Sequence, residues 1–516
     1  MKFSRTRNAL LNVGAGLLLQ TLTIVLGFFS RKIFVDTLGF EILGINGLFI
    51  NIVAVLSLAE MGIGFAIICN LYKPLAADDQ TTLCALMQFY AKVYNYLAIT
   101  VAALAFLLLP FVHLLVKEAF NVTYLRIIFV LFVAETVLSY LFVYKRSIII
   151  ADQQNYLLNI ITAIFQTIRT LSQIVILYYT HNYILFLAIN IVFRFIENIS
   201  ISHLADKRYP FLRNPEAIPL DDDLHNNIIG NTKSLTFHFL ALYLVNSTDS
   251  IIISSCLGIS YVGKLANYQM IVTGVYNLFN QFANGIISSF GNLLALEEPA
   301  RVAKVFYSVF YTNFLLYNFA SVALMNLTNP FICLWLGNKA LFSSTVVCLL
   351  VCDFFLLGIT SISGSLRASA GVFHPDRYYH PVTSILKIVI SVGLAGKYGV
   401  EGVILGTVIY RFIEWYCILG WTLHRFVFKS SLMVYVKKSM ILFAIAIISQ
   451  ALTYMACTNI VLDNPWAEWF LKAFACFLLP NIIGLGFLCT TEEIRYLIYR
   501  IRTHRLFNVN NIERIS

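Results

Sequence analysis

The chain has 516 residues, enough for about three soluble domains of ordinary size. However, it is 59% hydrophobic and only 12% charged, against about 25% charged for a typical soluble chain. A mean hydropathy of +0.79 excludes a soluble core as the home of that apolar surface and requires lipid as its solvent. The net charge of +10 would suggest nucleic acid in a soluble protein, but its distribution along this chain gives it another meaning.

Apolar runs of about 20 residues predict fourteen spans. In chain order they are 8–29, 42–69, 93–115, 125–144, 156–179, 183–203, 235–257, 261–294, 305–325, 342–363, 381–395, 403–424, 440–457 and 466–489. The second and eighth exceed one crossing, and Gly62, Gly64 and Gly285 are the expected hinges within them. The basic start (Lys2, Arg5, Arg7) precedes a run without a small-x-small cleavage site, so an uncleaved first span is expected. With the N-terminus inside, alternation places Lys73, Lys92, Lys145, Arg146, Lys207, Arg208, Arg301, Lys304, Arg367, Arg425, Lys429, Lys437 and Lys438 on the cytoplasmic side. That is the bias that orients membrane proteins. The basic charge is therefore topological, and no nucleic-acid partner is implied.

An internal repeat organises the spans. Arg194-Phe195-Ile196-Glu197 recurs as Arg411-Phe412-Ile413-Glu414, Arg169 aligns with Lys387, Glu135 with Asp353, Arg31 with Asp249, and Leu38-Gly39 with Leu257-Gly258. Gly44 likewise aligns with Gly263. Six spans per repeat is an even number, so both copies insert with the same orientation, related by a pseudo-two-fold along the membrane normal. The expected fold is an all-α polytopic membrane protein with about 14 transmembrane helices: two six-helix lobes plus two extra C-terminal helices. The corresponding segments are an N-lobe (1–205), a cytoplasmic linker (206–232) carrying Pro210, Pro215 and Pro219, a C-lobe (233–428), spans thirteen and fourteen (429–490) and a basic cytoplasmic tail (491–516). Within the tail, 494–507 has the pattern of an interfacial amphipathic helix on anionic lipid.

Polar residues inside spans are costly, about 2.5–3.5 kcal/mol for a mid-bilayer charge on insertion scales, and so mark candidate sites. In the fifth span Asn155, Asn159, Thr162, Gln166, Arg169 and Gln173 share one helix face. In the eighth, Thr273, Asn277, Gln281, Asn284 and Ser288 do the same. Such faces either line a wet cavity or form hydrogen-bonded helix seams. Amides offer donors and acceptors together, which suits a hydroxyl-rich ligand. Arg31, Lys32, Arg169 and Lys387 are candidate anion contacts, since Arg binds phosphate as a fork and Lys as a point charge. The alternatives are pairing of Arg169 with Glu135 and of Lys387 with Asp353, and snorkelling of Arg31 and Lys32. Asp249, Glu60, Glu135 and Asp353 are the acids that could couple transport to H+ or Na+. Arg194 with Glu197, and Arg411 with Glu414, have the i, i+3 spacing of structural ion pairs.

The ten cysteines read as buried small hydrophobes rather than a disulfide or metal framework. The run Gly258-Ile-Ser-Tyr-Val-Gly263-Lys264-Leu265 approaches a nucleotide-binding loop, but lacks the Ser/Thr after Lys264 and a preceding strand. No ATPase, metal or cofactor motif and no enzyme activity are expected; a coupling ion, H+ or Na+, is the only small species implied.

The stretch RKIFVDTLGFEILGINGLFINIVAVLSLAEMGIGFAIICNLYKPLA (31–76) resembles the opening of bacterial polysaccharide flippases of the Wzx type. These act on O-antigen and capsule precursors and belong to the multidrug/oligosaccharidyl-lipid/polysaccharide exporter superfamily. RFIENISISHLADKRYPFL (194–212) is similar to that family's sixth span and following Tyr-Pro. The resemblance implies translocation of undecaprenyl-diphosphate-linked oligosaccharide from the inner to the outer leaflet by alternating access, for O-antigen, capsule or exopolysaccharide. It further implies a multi-pass protein of the bacterial cytoplasmic (inner) membrane with both termini cytoplasmic. Its partners would be the lipid-linked oligosaccharide, membrane lipids, a polysaccharide polymerase and a chain-length regulator. In related flippases an Arg about eight residues before the Gly ending the first span contacts the diphosphate, and Arg31 stands in that relation to Gly39. The family's second- and eighth-span arginines have no match here, where Asn51 and Tyr268 or Gln269 stand.

Two rival functions make different demands on the sequence. A multidrug cation antiporter would place acids rather than Arg and Lys in its spans. A polysaccharide polymerase or ligase would need a sizeable external loop, and the external loops here are short.

Overall fold

The computed structural model describes residues 2–118, 120–212, 245, 247–372, 379–489 and 491–495. Within its helices the side chains of 2–10, 13, 17, 58–66, 69, 281–282, 284–285, 287–289, 292 and 295 are not described. Most of the expected linker, nearly half of the expected seventh span and the tail from 496 therefore lie outside the described residues, as do the side chains of Glu60, Gln281 and Asn284.

The protein is all-α, with no strand among the described residues. The helices are α1 (Lys2–Leu56), α2 (Leu58–Ala77), α3 (Gln80–Leu108), α4 (Val122–Ala151), α5 (Asn155–Thr180) and α6 (Tyr183–Arg208), followed by α7 (247–256). Then come α8 (Ile259–Leu296), α9 (Pro299–Leu336), α10 (Ser344–Ala370), α11 (Tyr379–Ile413), α12 (Leu432–Thr458) and α13 (Pro465–Leu488). Beyond α11 the chain continues as π-helix through Glu414–Gly420 and Leu423–Val427.

Helix starts follow from local chemistry. The side chains of Asn121, Asn182, Ser343, Ser431 and Asn464 accept hydrogen bonds from first-turn backbone amides of α4, α6, α10, α12 and α13. Those amides have no partner inside their own helix. Helix ends use left-handed residues: Gln153 after α4, His181 after α5 and Gly371 after α10. These positions repeat. Gln153 and Gly371 both have positive φ, as do His181 and Gly399, each pair 218 positions apart (371 − 153 and 399 − 181). The internal repeat is therefore one of backbone geometry as well as of side chains.

Ten helical runs among the described residues are long and apolar enough to cross a membrane. Two of them, Gly14–Leu56 and Tyr379–Val427, run to 43 and 49 residues, well beyond the ~20 that one crossing needs. The sequence suggests a break of several residues between the first and second spans, and again between the eleventh and twelfth. In each case one glycine replaces it, Gly39 at φ +80° and Gly399 at φ +61°. A backbone that L side chains rarely adopt redirects the chain without a loop. The expected hinges also move. The second span breaks at Ser57, while Gly62 and Gly64 lie inside α2 and Gly285 inside α8. A helical glycine keeps its backbone hydrogen bond, and in lipid that bond outweighs the propensity cost of about 1 kcal/mol.

The chain folds as two compact units, Met1–Gly263 and Lys264–Ser516. In the first, α7 and the start of α8 are held by α1 and the residues after α3. Ser254 donates to the Leu115 carbonyl at 2.6 Å, and Glu118 accepts from the Ile259 amide at 2.7 Å. Two repeat-related glycines meet here: a Cβ on Gly44 would lie 2.0 Å from the Ile259 carbonyl oxygen, and one on Gly263 would lie 1.9 Å from that of Phe40. The close approach needs both glycines, as in small-residue helix crossings within membranes.

Candidate functional site

The polar face of α5 is built opposite an apolar stripe. Ile160, Ile164, Ile168, Leu171 and Val175 are exposed at spacings of three and four, the pattern of a lipid-facing flank. The other flank turns toward α1 and α6. Gln166 donates to the Thr23 hydroxyl at 3.0 Å, Thr162 donates to Glu197 at 2.8 Å, and Gln173 donates to the Phe186 carbonyl at 3.3 Å. Asn159 lies against Gly16 of α1. Much of this face is thus engaged by neighbouring helices, and the ligand-ready part narrows to its charged members.

Those charges form a network between α4, α5 and α6. Glu197 pairs with Arg146 at 2.8 Å and with Arg194 at 3.6 Å. Glu135 accepts from Asn190 at 2.6 Å, and Arg169 lies within electrostatic reach of Glu135, Arg194 and Glu197. Sequence reasoning missed Asn190 and the role of Arg146. Asn190, Arg194 and Glu197 sit at i, i+4 and i+7 of α6, a helical spacing that could have revealed Asn190. The sequence puts Arg146 just past the end of the span 125–144, but α4 continues to Ala151, so it remains on the helix.

The second unit repeats the arrangement with different partners. Arg411 donates to Asp353 at 2.9 Å and to Glu414 at 3.2 Å. Its side chain is only 3% exposed, so burial makes the two acids indispensable to it. Lys387, the counterpart of Arg169, is 1% exposed and engaged in interactions of its own. Four repeat-related pairs (Glu135/Asp353, Arg169/Lys387, Arg194/Arg411 and Glu197/Glu414) thus fall on corresponding helices. The first unit adds Arg146, whose counterpart is Gly364. Among the described residues the first network therefore holds three cations (Arg146, Arg169, Arg194) against two acids (Glu135, Glu197), whereas in the second Arg411 stands between two acids.

Arg31 differs from all of these. It lies on α1, eight residues before the Gly39 bend, and its Nη1 is buried with no hydrogen-bond partner among the described residues. Its neighbour Lys32 is exposed and pairs with Asp36 at 3.5 Å. On α7, Asp249 is engaged and adjacent to Ser250, whose hydroxyl accepts from Asn51 at 3.0 Å. On α8, Thr273 and Asn277 are exposed. Tyr268 is buried, donating to Asn329 at 2.5 Å and accepting from the Phe342 amide at 2.8 Å.

Solved structures share this architecture. A lipid II flippase, MurJ, in an inward closed conformation matches with a TM-score of 0.68 at 14% identity, over 95% of this chain and 100% of that one. An inward-facing multidrug resistance MATE family transporter of the MOP superfamily matches with 0.60 at 15% identity, over 81% and 98%. An outward-facing transporter of that family matches with 0.51 at 14%, over 82% and 95%. The fold is that of known membrane transporters. No family model matches the sequence, and no curated protein does either.

Proposed function

We propose that this protein is a flippase for a diphosphate-linked lipid oligosaccharide, carrying it from the cytoplasmic to the outer leaflet during O-antigen, capsule or exopolysaccharide assembly. The observation that carries the reading is Arg31, a guanidinium with a buried Nη1 that no described residue satisfies. An unmet buried donor costs about 1–3 kcal/mol. A ligand could meet that donor, and a phosphate oxygen is the acceptor that a guanidinium suits best. The excess cation in the first unit's network adds a second positive locus at Arg169, while Lys387 serves the C-terminal half. Asn277, exposed on α8, supplies an amide for sugar hydroxyls.

Export of a dianion from a negative cytoplasm is downhill by roughly 4–5 kcal/mol per 100 mV, at ~2.3 kcal/mol per charge, so ATP is not required. Coupling to H+ or Na+ through Asp249 or Glu60 would add driving force. The distribution of the basic segments supports a cytoplasmic-membrane location with both termini inside. A polymerase and a chain-length regulator act next on the exported unit.

The test separates folding from transport. Arg31→Met removes an unsatisfied group, so its Tm in detergent should equal or exceed the wild type while lipid-linked oligosaccharide fails to reach the outer leaflet. A destabilised Arg31→Met protein with normal surface glycan would defeat the reading. Resistance to cationic drugs on overexpression, without any glycan phenotype, would move the assignment to the drug-exporting branch of the fold.

A further inference from the structure

The hairpin joining the π-helical end of α11 to α12 is cationic, and its charge is largely unneutralised. No Asp or Glu occurs from Trp415 to Leu462. Lys438 is paired with Glu493, but Arg425, Lys429 and Lys437 are exposed and make no ion pair among the described residues. The Arg425 guanidinium lies over the rings of Trp421, at 5.5 Å, and Phe426, at 6.0 Å. This couples a fixed cation to side chains that favour the membrane–water boundary.

Below these cations an apolar groove of about 580 Å³ runs between the same two elements. Phe412 and Tyr416 form one wall, and Val436, Met440, Phe443 and Ile447 the other. It opens sideways to lipid, since Met440 is 64% and Ile447 63% exposed. The register joins groove and charge. Trp421, which carries Arg425, follows Tyr416 by five residues, the hydrogen-bonding step of a π-helix. Lys437 precedes Met440 by three, one turn away on the exposed flank of α12. From Val436 to Ile447 the groove follows about 16 Å of helix, close to the ~15 Å depth of one leaflet's hydrocarbon.

We propose that this is a binding site for an anionic glycerophospholipid, with its phosphate held by Arg425, Lys429 and Lys437 and an acyl chain lying in the groove. A zwitterionic lipid would leave the three cations without net counter-charge. A soluble polyanion would leave the groove unused, and an isoprenoid tail long enough for a lipid-linked sugar would overrun one leaflet.

The full-length protein in phosphatidylcholine nanodiscs doped with phosphatidylglycerol, read by native mass spectrometry of retained lipid, tests this. Phosphatidylglycerol should be enriched on the wild type. At about fivefold per surface cation, Lys437→Gln should lower that enrichment about fivefold, and the triple variant Arg425→Gln/Lys429→Gln/Lys437→Gln about a hundredfold. Ala444→Trp, which fills the groove and leaves the charges, should also release the lipid. Undiminished enrichment in Lys437→Gln and the triple variant would overturn the headgroup assignment. Full retention by Ala444→Trp would overturn the acyl-chain assignment. Displacement of phosphatidylglycerol by equimolar undecaprenyl phosphate would transfer the groove to an isoprenoid occupant and overturn the proposal.

Discussion

Gly44→Ala should weaken the first unit sharply, and the reason lies in one distance. Elsewhere in a helix, Gly→Ala gains about 0.5–1 kcal/mol because the unfolded chain loses freedom. At Gly44 the new Cβ would fall 2.0 Å from the Ile259 carbonyl oxygen and 2.9 Å from the Ile259 Cγ1. The obstacle is backbone, so the start of α8 must move away from α1. Overpacking of this kind costs about 1–3 kcal/mol and occasionally more, which outweighs the propensity gain. Gly47 supplies the control one turn along the same helix, where a Cβ would meet its nearest neighbour, Val262, at an ordinary 3.6 Å. Thermal unfolding in detergent should therefore show Gly44→Ala below wild type and Gly47→Ala at or above it. Because Gly263 faces the same approach, with Phe40 O at 1.9 Å from its Cβ position, the Gly44→Ala/Gly263→Ala double variant should lose less than the sum of the singles; one displacement relieves both clashes. If Gly44→Ala proves as stable as Gly47→Ala, the close helix approach described here is wrong.

The two charge networks should respond unequally to loss of their arginines. Arg411→Met strands Asp353 and Glu414 and should cost about 3–5 kcal/mol, whereas Arg194→Met should cost less, since Glu197 retains Arg146 and Thr162. Equal losses in chemical denaturation would contradict this difference. A double-mutant cycle of Thr23→Val with Gln166→Leu should return a coupling of about 0.6 kcal/mol, typical of hydrogen bonds between membrane helices; zero coupling would leave Gln166 free for ligand alone. Asp79, which caps α3 outside the spans, has its carboxyl pKa held down to about 2, first by the Thr82 hydroxyl and then by the Thr82 amide. A depressed pKa contributes stability above the unfolded value of about 3.9, and that stability is lost as pH falls toward 2. Tm measured from pH 5 down to 2.5 should therefore fall more steeply for wild type than for Asp79→Ala, and parallel curves would refute the cap's contribution.

Some of this protein was legible in its sequence because lipid imposes simple rules. Hydropathy alone dictated an all-helical membrane fold, since no other open backbone satisfies its polar groups in hydrocarbon. The repeat was equally visible: Arg194/Glu197 and Arg411/Glu414 carry it in side chains, and the positive-φ residues at 153/371 and 181/399 carry it in the backbone. The sequence offered Arg31 as a candidate cation, and its distance from Gly39 acquired meaning only through the resemblance to polysaccharide flippases. What it left open was who meets whom. The polar face of α5 has one helical spacing whether it faces water or protein, and only packing revealed that Thr23 and Glu197 take Gln166 and Thr162. Pairing across helices decided that Asp353 goes to Arg411, and that the Nη1 of Arg31 has no acceptor among the described residues. Periodicity along a chain specifies which residues share a face; only the three-dimensional approach of another helix specifies what that face touches.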